Sequence, residues 1–201
     1  MRTLVIDTAT AACSVALIEG GQVIAERHVL VERGHAERLV PMIAELPDGG
    51  RAEQILVDVG PGSFTGIRVG IAAARGLRLG WGASVSGYSS LAIIAAAARG
   101  DGPLAAVLEG GHGEVFMQVF APNPLHSLGD LRSLAPAAAR EALAGLRAVG
   151  DGLRWLTSDD PRNAPRGELP RAADAILLPA GLATLPPRPL YGRAPDAKLP
   201  S

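Results

Sequence analysis

The apolar and polar positions of this chain predict its elements almost one by one. Leu4-Val5-Ile6 is a short apolar run that ends in Asp7-Thr8-Ala9-Thr10, the pattern of a strand buried on both faces and followed by a polar turn. Cys13 to Ile18 predicts a second strand. Gly20-Gly21, between Glu19 and Gln22, supplies two residues free to take positive φ, as a two-residue hairpin loop requires, and Val23 to Val31 returns as a third strand. Leu39, Met42, Ile43 and Leu46 recur at the i, i+3, i+4, i+7 spacing of one helical face, and Pro47-Asp48-Gly49-Gly50 stops that helix. Pro41 lies inside it without an N–H to donate, which predicts a kink or a late start.

Ile55 to Val59 reads as a fourth strand, Gly60 to Thr65 as a tight loop, and Gly66 to about Leu79 as a helix. A short strand near Ser84 and a helix from Ser89 to Arg99 follow. The change at Gly100-Asp101-Gly102-Pro103 predicts a boundary, with residues 1–100 as one domain and 101–185 as a smaller, incomplete α/β domain. In the second part Leu104 to Leu108 and Val115 to Phe120 predict strands, as does Arg147-Ala148-Val149. Pro136 to Leu146 and Leu153 to Leu156 predict helices. Ser158 to Arg171 has no periodicity and reads as a loop, and 186–201, opening on Pro186-Pro187-Arg188-Pro189, as an extended Pro-rich tail. The order of three strands, then helix, strand, helix, strand, helix is that of a ribonuclease-H-like α/β domain, the building block of the actin, sugar-kinase and Hsp70 superfamily.

Composition narrows the function classes. Of 201 residues 48% are hydrophobic but only 3% aromatic, so aliphatic side chains and close backbone approaches must fill the core. With 19 Lys plus Arg against 20 Asp plus Glu the chain offers no global positive field to a polyanion, so any RNA is expected to be held by a partner. The single cysteine, Cys13, excludes an internal disulfide framework and sits in an apolar run, as a packed thiol does. The opening apolar run stops at Asp7, short of a signal-peptide core, and no stretch reaches the ~20 apolar residues of a membrane span. A cytoplasmic protein is expected.

Gly60-Pro61-Gly62-Ser63-Phe64-Thr65-Gly66 carries the densest local signal. A strand end, a glycine turn and a helix start leave backbone N–H groups pointing outward, which serves either a structural cap, with Ser63 or Thr65 capping the helix, or an anion site. The spacing G-x-G-x-x-x-G is one residue too long for a dinucleotide fingerprint, and no Gly-Lys-Ser/Thr follows as a P-loop needs. Asp7 is open to two readings, an orienting acid for a metal-bound phosphate or part of an ordinary side-chain-bonded turn with Thr8 and Thr10. Gly150-Asp151-Gly152 is a weak candidate for a nucleotide-contact loop. His28, His35, His112 and His126 show no metal-ligand spacing, and no serine-hydrolase elbow, matched Cys-His signature or H-E-x-x-H motif is present. No catalytic residue, metal or cofactor is therefore assigned.

The run from Gly60 to Gly70 resembles the hallmark of the TsaB family, also called YeaZ. The opening Ile6-Asp7-Thr8-Ala9-Thr10 with Cys13-Ser14-Val15-Ala16-Leu17 is similar to that family's start, and so is His35 followed by Leu39, Pro41, Met42 and Ile43. The resemblance covers residues 1 to about 120, and later touches Gly150-Asp151-Gly152, Tyr191, Arg193 and Lys198-Leu199-Pro200. The sequence departs from the family at Glu109-Gly110-Gly111-His112-Gly113-Glu114-Val115-Phe116, where Asp-Ala-Arg and Gly-Glu-Val-Tyr are common. The resemblance implies a paralogue of the catalytic subunit TsaD, which holds a metal through a His-x-x-x-His pair. The matching positions here are Ser89 and Ile93, so the ligands are absent.

The same resemblance implies a scaffold subunit. It would bind a TsaD-like paralogue, with a TsaE-like ATPase, in the complex that adds threonylcarbamoyl to the adenosine beside the tRNA anticodon, and it would also be able to pair with itself. In the family, the first two helices make a four-helix contact with the partner. Leu39, Met42, Ile43 and Leu46 on the first, with Ile67, Gly70, Ile71 and Ala74 on the second, are accordingly expected at the partner interface. The alternative is an independent enzyme of the superfamily, an ATP-dependent transferase or a glycoprotease-type metallopeptidase.

Overall fold

The computed structural model describes residues 1–31, 33–98, 100–164 and 166–192. Strands β1 (Arg2–Asp7), β2 (Ala12–Glu19) and β3 (Gln22–Leu30) form an antiparallel meander. Helix α1 (His35–Ala44), β4 (Gln54–Asp58), α2 (Phe64–Trp81), β5 (Ser84–Tyr88) and α3 (Ser90–Ala97) follow. The sheet order is β3-β2-β1-β4-β5, with β4 parallel to both β1 and β5. This is a ribonuclease-H-like arrangement, in an α/β chain with two sheets.

The alternation of side chains along β1 explains the layers. Leu4 and Ile6 point to the face covered by α1 and α2, where they meet Leu17, Leu39, Ile43, Ile67, Ile71 and Ala74. Val5 points to the other face, against Tyr88, Ile93 and residues Ala172 and Ala175 of a late 3-10 turn. A strand covered on both faces has to be apolar at consecutive positions, which is why β1 shows no alternation in its sequence.

Helix α1 does not start late. It begins at His35, whose ring Nε2 lies 2.8 Å from the Thr10 carbonyl and 3.2 Å from that of Ala12, and it runs through the exposed Pro41. Leu46 falls just past the helix end, yet is buried on the same face.

The second sheet contains β6 (Leu104–Gly111), β7 (Glu114–Ala121), β8 (His126–Ser127), β9 (Arg132–Leu134) and β10 (Arg147–Val149). Its order is β10-β6-β7-β8, with β9 also on β7. The two-residue and three-residue strands β8 and β9 have no sequence period from which to be predicted. Helix α4 (Pro136–Leu143) ends before the predicted Leu146, and α5 (Arg154–Thr157) is a single turn; both cover the outer face through Ala139 and Leu156. Helix α3 serves both sheets: Ile93 packs on the first, Leu91 and Ile94 on the second. That double burial is why Ser90-Leu91-Ala92-Ile93-Ile94-Ala95-Ala96-Ala97 lacks a charged face. Among the described residues no helix is long and apolar enough to cross a membrane.

Candidate functional site: a glycine loop beside a cleft

The glycine loop is a packing device. An added Cβ on Gly62 would fall closer than 3.0 Å to the Ala9 carbonyl, on Gly66 equally close to the Thr8 carbonyl, and on Gly70 2.5 Å from Thr8 Oγ1. Gly66 and Gly70, one turn apart on α2, present a bare face, and with Gly62 just before the helix they let the turn after β1 lie close against it. Hydrogen bonds fasten the contact: Ser63 N–H donates to the Ala9 carbonyl at 2.6 Å and Thr8 Oγ1 to the Gly66 carbonyl at 2.7 Å. Ser63 is the N-cap of α2, its Oγ accepting from Gly66 N–H at 3.2 Å, whereas Thr65 is exposed. Gly60 N–H donates to Asp58 Oδ1 at 2.7 Å. Three amides of the loop are thus engaged inside the protein, and the Gly60-Pro61 peptide is cis.

Beside the loop a cleft of about 770 Å³ separates the two sheets' layers. Thr10, Arg33, Ser63, Phe64 and Arg68 form one wall, and Glu109 to His112, Phe116, Asp151 and Arg166 the other. Leu190, Tyr191 and Gly192 stand at its mouth. The Arg68 guanidinium lies 3.3 Å above the Phe64 ring, which stacks on Tyr191 at 5.6 Å between centroids. On the far wall Arg154 pairs with Glu109, and Arg166 reaches Asp151 at 3.5 Å.

The weak nucleotide candidates fall elsewhere in this geometry. Asp7 is fully buried and does not line the cleft; Tyr88 Oη donates to its Oδ2 at 2.8 Å. Gly150, at φ +105°, and Gly152 have no room for a Cβ because Val107 and Leu108 of β6 pass directly against them. They allow close strand packing, and only Asp151 between them faces the cleft. Burial pushes the Asp151 carboxyl above its ordinary range.

The interface candidates require a correction. Leu39, Met42, Ile43, Leu46, Ile67, Gly70, Ile71 and Ala74 are all buried in the chain's own core, Ala74 at 0% exposure. Their stripe faces the sheet, where it packs against Leu4 and Ile6 of β1, Val15 and Leu17 of β2 and Ile55 and Val57 of β4. The outward surface of the same helices comprises Arg38, Val40, Pro41 and Glu45 on α1, with Ala72, Gly76, Leu79 and Gly80 on α2. Ser89 caps α3 by accepting from Leu91 N–H at 3.2 Å, and Ile93 is a fully buried core residue.

The Pro-rich tail is pinned as far as it is described. Leu185 exchanges backbone hydrogen bonds with Gly87, Leu190 N–H donates to the Val59 carbonyl at 2.7 Å, and Arg75 donates to the Pro187 carbonyl at 2.7 Å. Arg193 and Lys198-Leu199-Pro200 lie outside the described residues. Sequence reasoning named Tyr191 only through a resemblance; its ring contact with Phe64 depends on the path of the tail. Tyr191→Ala removes that stack, so the melting temperature should drop by the equivalent of ~1 kcal/mol and trypsin should cut faster at Arg188. Unchanged proteolysis would mean that the aromatic contact does not hold the tail.

Residues 26–123 match the sequence model of the family described as TsaD, tRNA N6-adenosine threonylcarbamoyltransferase. The tRNA threonylcarbamoyladenosine biosynthesis protein TsaB of Escherichia coli is 41% identical over 127 residues, covering 58% of this chain and 53% of that protein. The chain thus spans about half the length of the curated TsaB relatives it matches. An uncharacterized protein of Mycobacterium tuberculosis is 31% identical over 210 residues, 97% of this chain and 93% of its own. Among solved structures, an uncharacterized Pseudomonas aeruginosa protein with similarity to peptidase YeaZ superimposes with a TM-score of 0.78 at 30% identity, covering 96% of this chain and 99% of that one. YeaZ from the same organism gives 0.77 at 29% identity, covering 94% and 99%.

Proposed function

This chain belongs to the TsaB/YeaZ family, and from that premise we propose that it is a non-catalytic scaffold subunit in tRNA threonylcarbamoyladenosine formation. It holds a TsaD-like catalytic paralogue, with a TsaE-like ATPase joining the complex, and tRNA reaches it only through that complex. The setting proposed is the cytoplasm. The observation that supports holding over chemistry is the use made of the two family-matching positions, Ser89 and Ile93. One side chain is committed to a helix cap and the other to the core, so neither is available to a substrate. The glycine loop supports the same reading, since its amides at Gly60, Ser63 and Gly66 already have protein acceptors.

The contact surface we propose is the outward face of α2 from Ala72 to Gly80, flanked by the exposed side of α1. Gly76 and Gly80 have open space around them, and Leu79 is 86% exposed. Small residues on an exposed helix let a second helix approach to the 8–10 Å at which helices pack. Two such helices with their flanking loops are able to supply a standard interface of ~1,600 Å².

Reconstitution tests the role directly. A mixture of TsaD-like and TsaE-like proteins, the threonylcarbamoyl donor and tRNA should modify the anticodon-adjacent adenosine at least tenfold faster with this chain than without it. Full-rate modification in its absence would sink the proposal.

A further inference from the structure

We infer that Asp7 and Asp58 form a carboxyl–carboxylate pair holding one shared proton at neutral pH, and that this proton ties β1 to the root of the glycine loop. The two residues end adjacent parallel strands. Ile6 is in register with Val57, so the next step along each strand sets Asp7 beside Asp58. Both are at 0% exposure.

Their partners account for all but one oxygen. Asp58 accepts from Ser90 Oγ at 2.9 and 2.6 Å through its two oxygens, and from Gly60 N–H at 2.7 Å. Asp7 Oδ2 accepts from Tyr88 Oη at 2.8 Å, while Asp7 Oδ1 is buried without a well-formed hydrogen bond among the described residues; the nearby Ala9 N–H favours the charged form, but less than burial opposes it. No guanidinium, ammonium or imidazole is paired with either carboxyl among those residues. Two neighbouring carboxylates, without a cation and out of water, both ionise only at a large cost, so at neutral pH one of them keeps a proton. A proton on Asp7 turns the orphaned side of the group into a donor toward Asp58, and every polar atom then has a partner.

The groups around the pair leave that proton no rival. From β2 comes Cys13, whose thiol burial pushes up to about 11. From β5 comes Tyr88, which burial and the two carboxyls hold above its ordinary value, and α3 contributes the neutral Ser90. The turn at residues 172–177 contributes Asp174, a further carboxyl whose charge acts on Tyr88. Burial, with the neighbouring Asp58, raises Asp7 well above the usual carboxylate range, and burial raises Asp58 to about 6.

Both shifts are upward, which sets the sign of the pH dependence. Unfolded, the two groups ionise near pH ~4. The stability contributed by the protonated pair is complete below that value and is lost as pH rises through about 6 for Asp58 and as Asp7, held well above the usual carboxylate range, ionises. Full ionisation sets two charges against each other at the point from which Gly60 and Pro61 depart, loosening the loop that starts α2.

Calorimetric unfolding at pH 7 in buffers of different ionisation enthalpy should show about one proton released per chain as the pair comes apart. Asp58→Asn mimics the protonated partner, because its amide accepts from Gly60 and Ser90 while donating to an ionised Asp7. That variant should release about one proton fewer, and its melting temperature should hold between pH 6 and 9 while that of the parent falls. Asp151 and Asp174, also shifted upward, are present in both proteins and cancel in the comparison. Parallel pH profiles with equal proton release would overturn the inference. Should Asp58→Asn fail to fold, Asp7→Asn carries the same expectation. Should both fail, the parent at pH 7 must show the infrared carbonyl band of a buried protonated carboxyl, and its absence would overturn the inference.

Discussion

Gly76→Arg is expected to fold as well as its parent and to abolish the proposed co-elution with a TsaD-like partner. Gly76 lies in the second half of α2, exposed, with no atom within 4 Å of an added Cβ. Replacing a helical glycine by arginine gains ~0.8 kcal/mol of helix propensity, so thermal melting of the isolated chain should hold or rise slightly. In a complex through this face, the long charged side chain stands where a partner helix must come within 8–10 Å. Affinity should fall by at least a hundredfold, about 2.7 kcal/mol, read by co-elution and by titration of the labelled partner.

The informative contrast is Ala74→Arg, two residues earlier. Ala74 is at 0% exposure among Leu4, Ile6, Ile67 and Ile71, and a guanidinium there has no partner. An unpaired buried charge costs several kcal/mol, enough to unfold a domain of ordinary stability. Soluble, folded Ala74→Arg would mean that this stripe does not pack on the sheet. Undiminished co-elution of Gly76→Arg would move the interface off α2.

Gly66→Ala, the smallest possible change, should cost at least ~3 kcal/mol. The new methyl meets the Thr8 carbonyl, and backbone cannot rotate aside as a side chain can. Relief requires the start of α2 to retreat from the β1–β2 turn, which breaks the Thr8 Oγ1 to Gly66 bond and strains the Ser63 to Ala9 bond. Gly80→Ala on the same helix, in open space, should instead be neutral or stabilising by up to ~1 kcal/mol. Urea denaturation of the two variants separates the effects. A Gly66→Ala midpoint within error of the parent would show that the loop does not need its bare face.

The glycine signature and the buried stripe show what pattern reading reaches in this molecule. Periodicity located α1 and α2 because burial on one side imprints a 3.6-residue repeat, and β1 was legible because burial on both sides erases alternation. The same repeat reads identically whether the apolar face meets the chain's own sheet or another protein. Leu39, Ile67 and Ala74 were therefore legible as one face, but not as a face turned inward.

By itself the sequence determined the strand and helix order of the first sheet, the glycine loop with a cap at Ser63 or Thr65, and the family, because each depends on neighbours along the chain. Only the tertiary structure decided that Gly66 makes room for the Thr8 carbonyl, that Asp58 lies beside Asp7, and that Tyr191 closes over Phe64. Those pairs stand 58, 51 and 127 positions apart in the chain, and their meeting is set by strand register and by the path of the tail. Neither leaves a local repeat in the sequence.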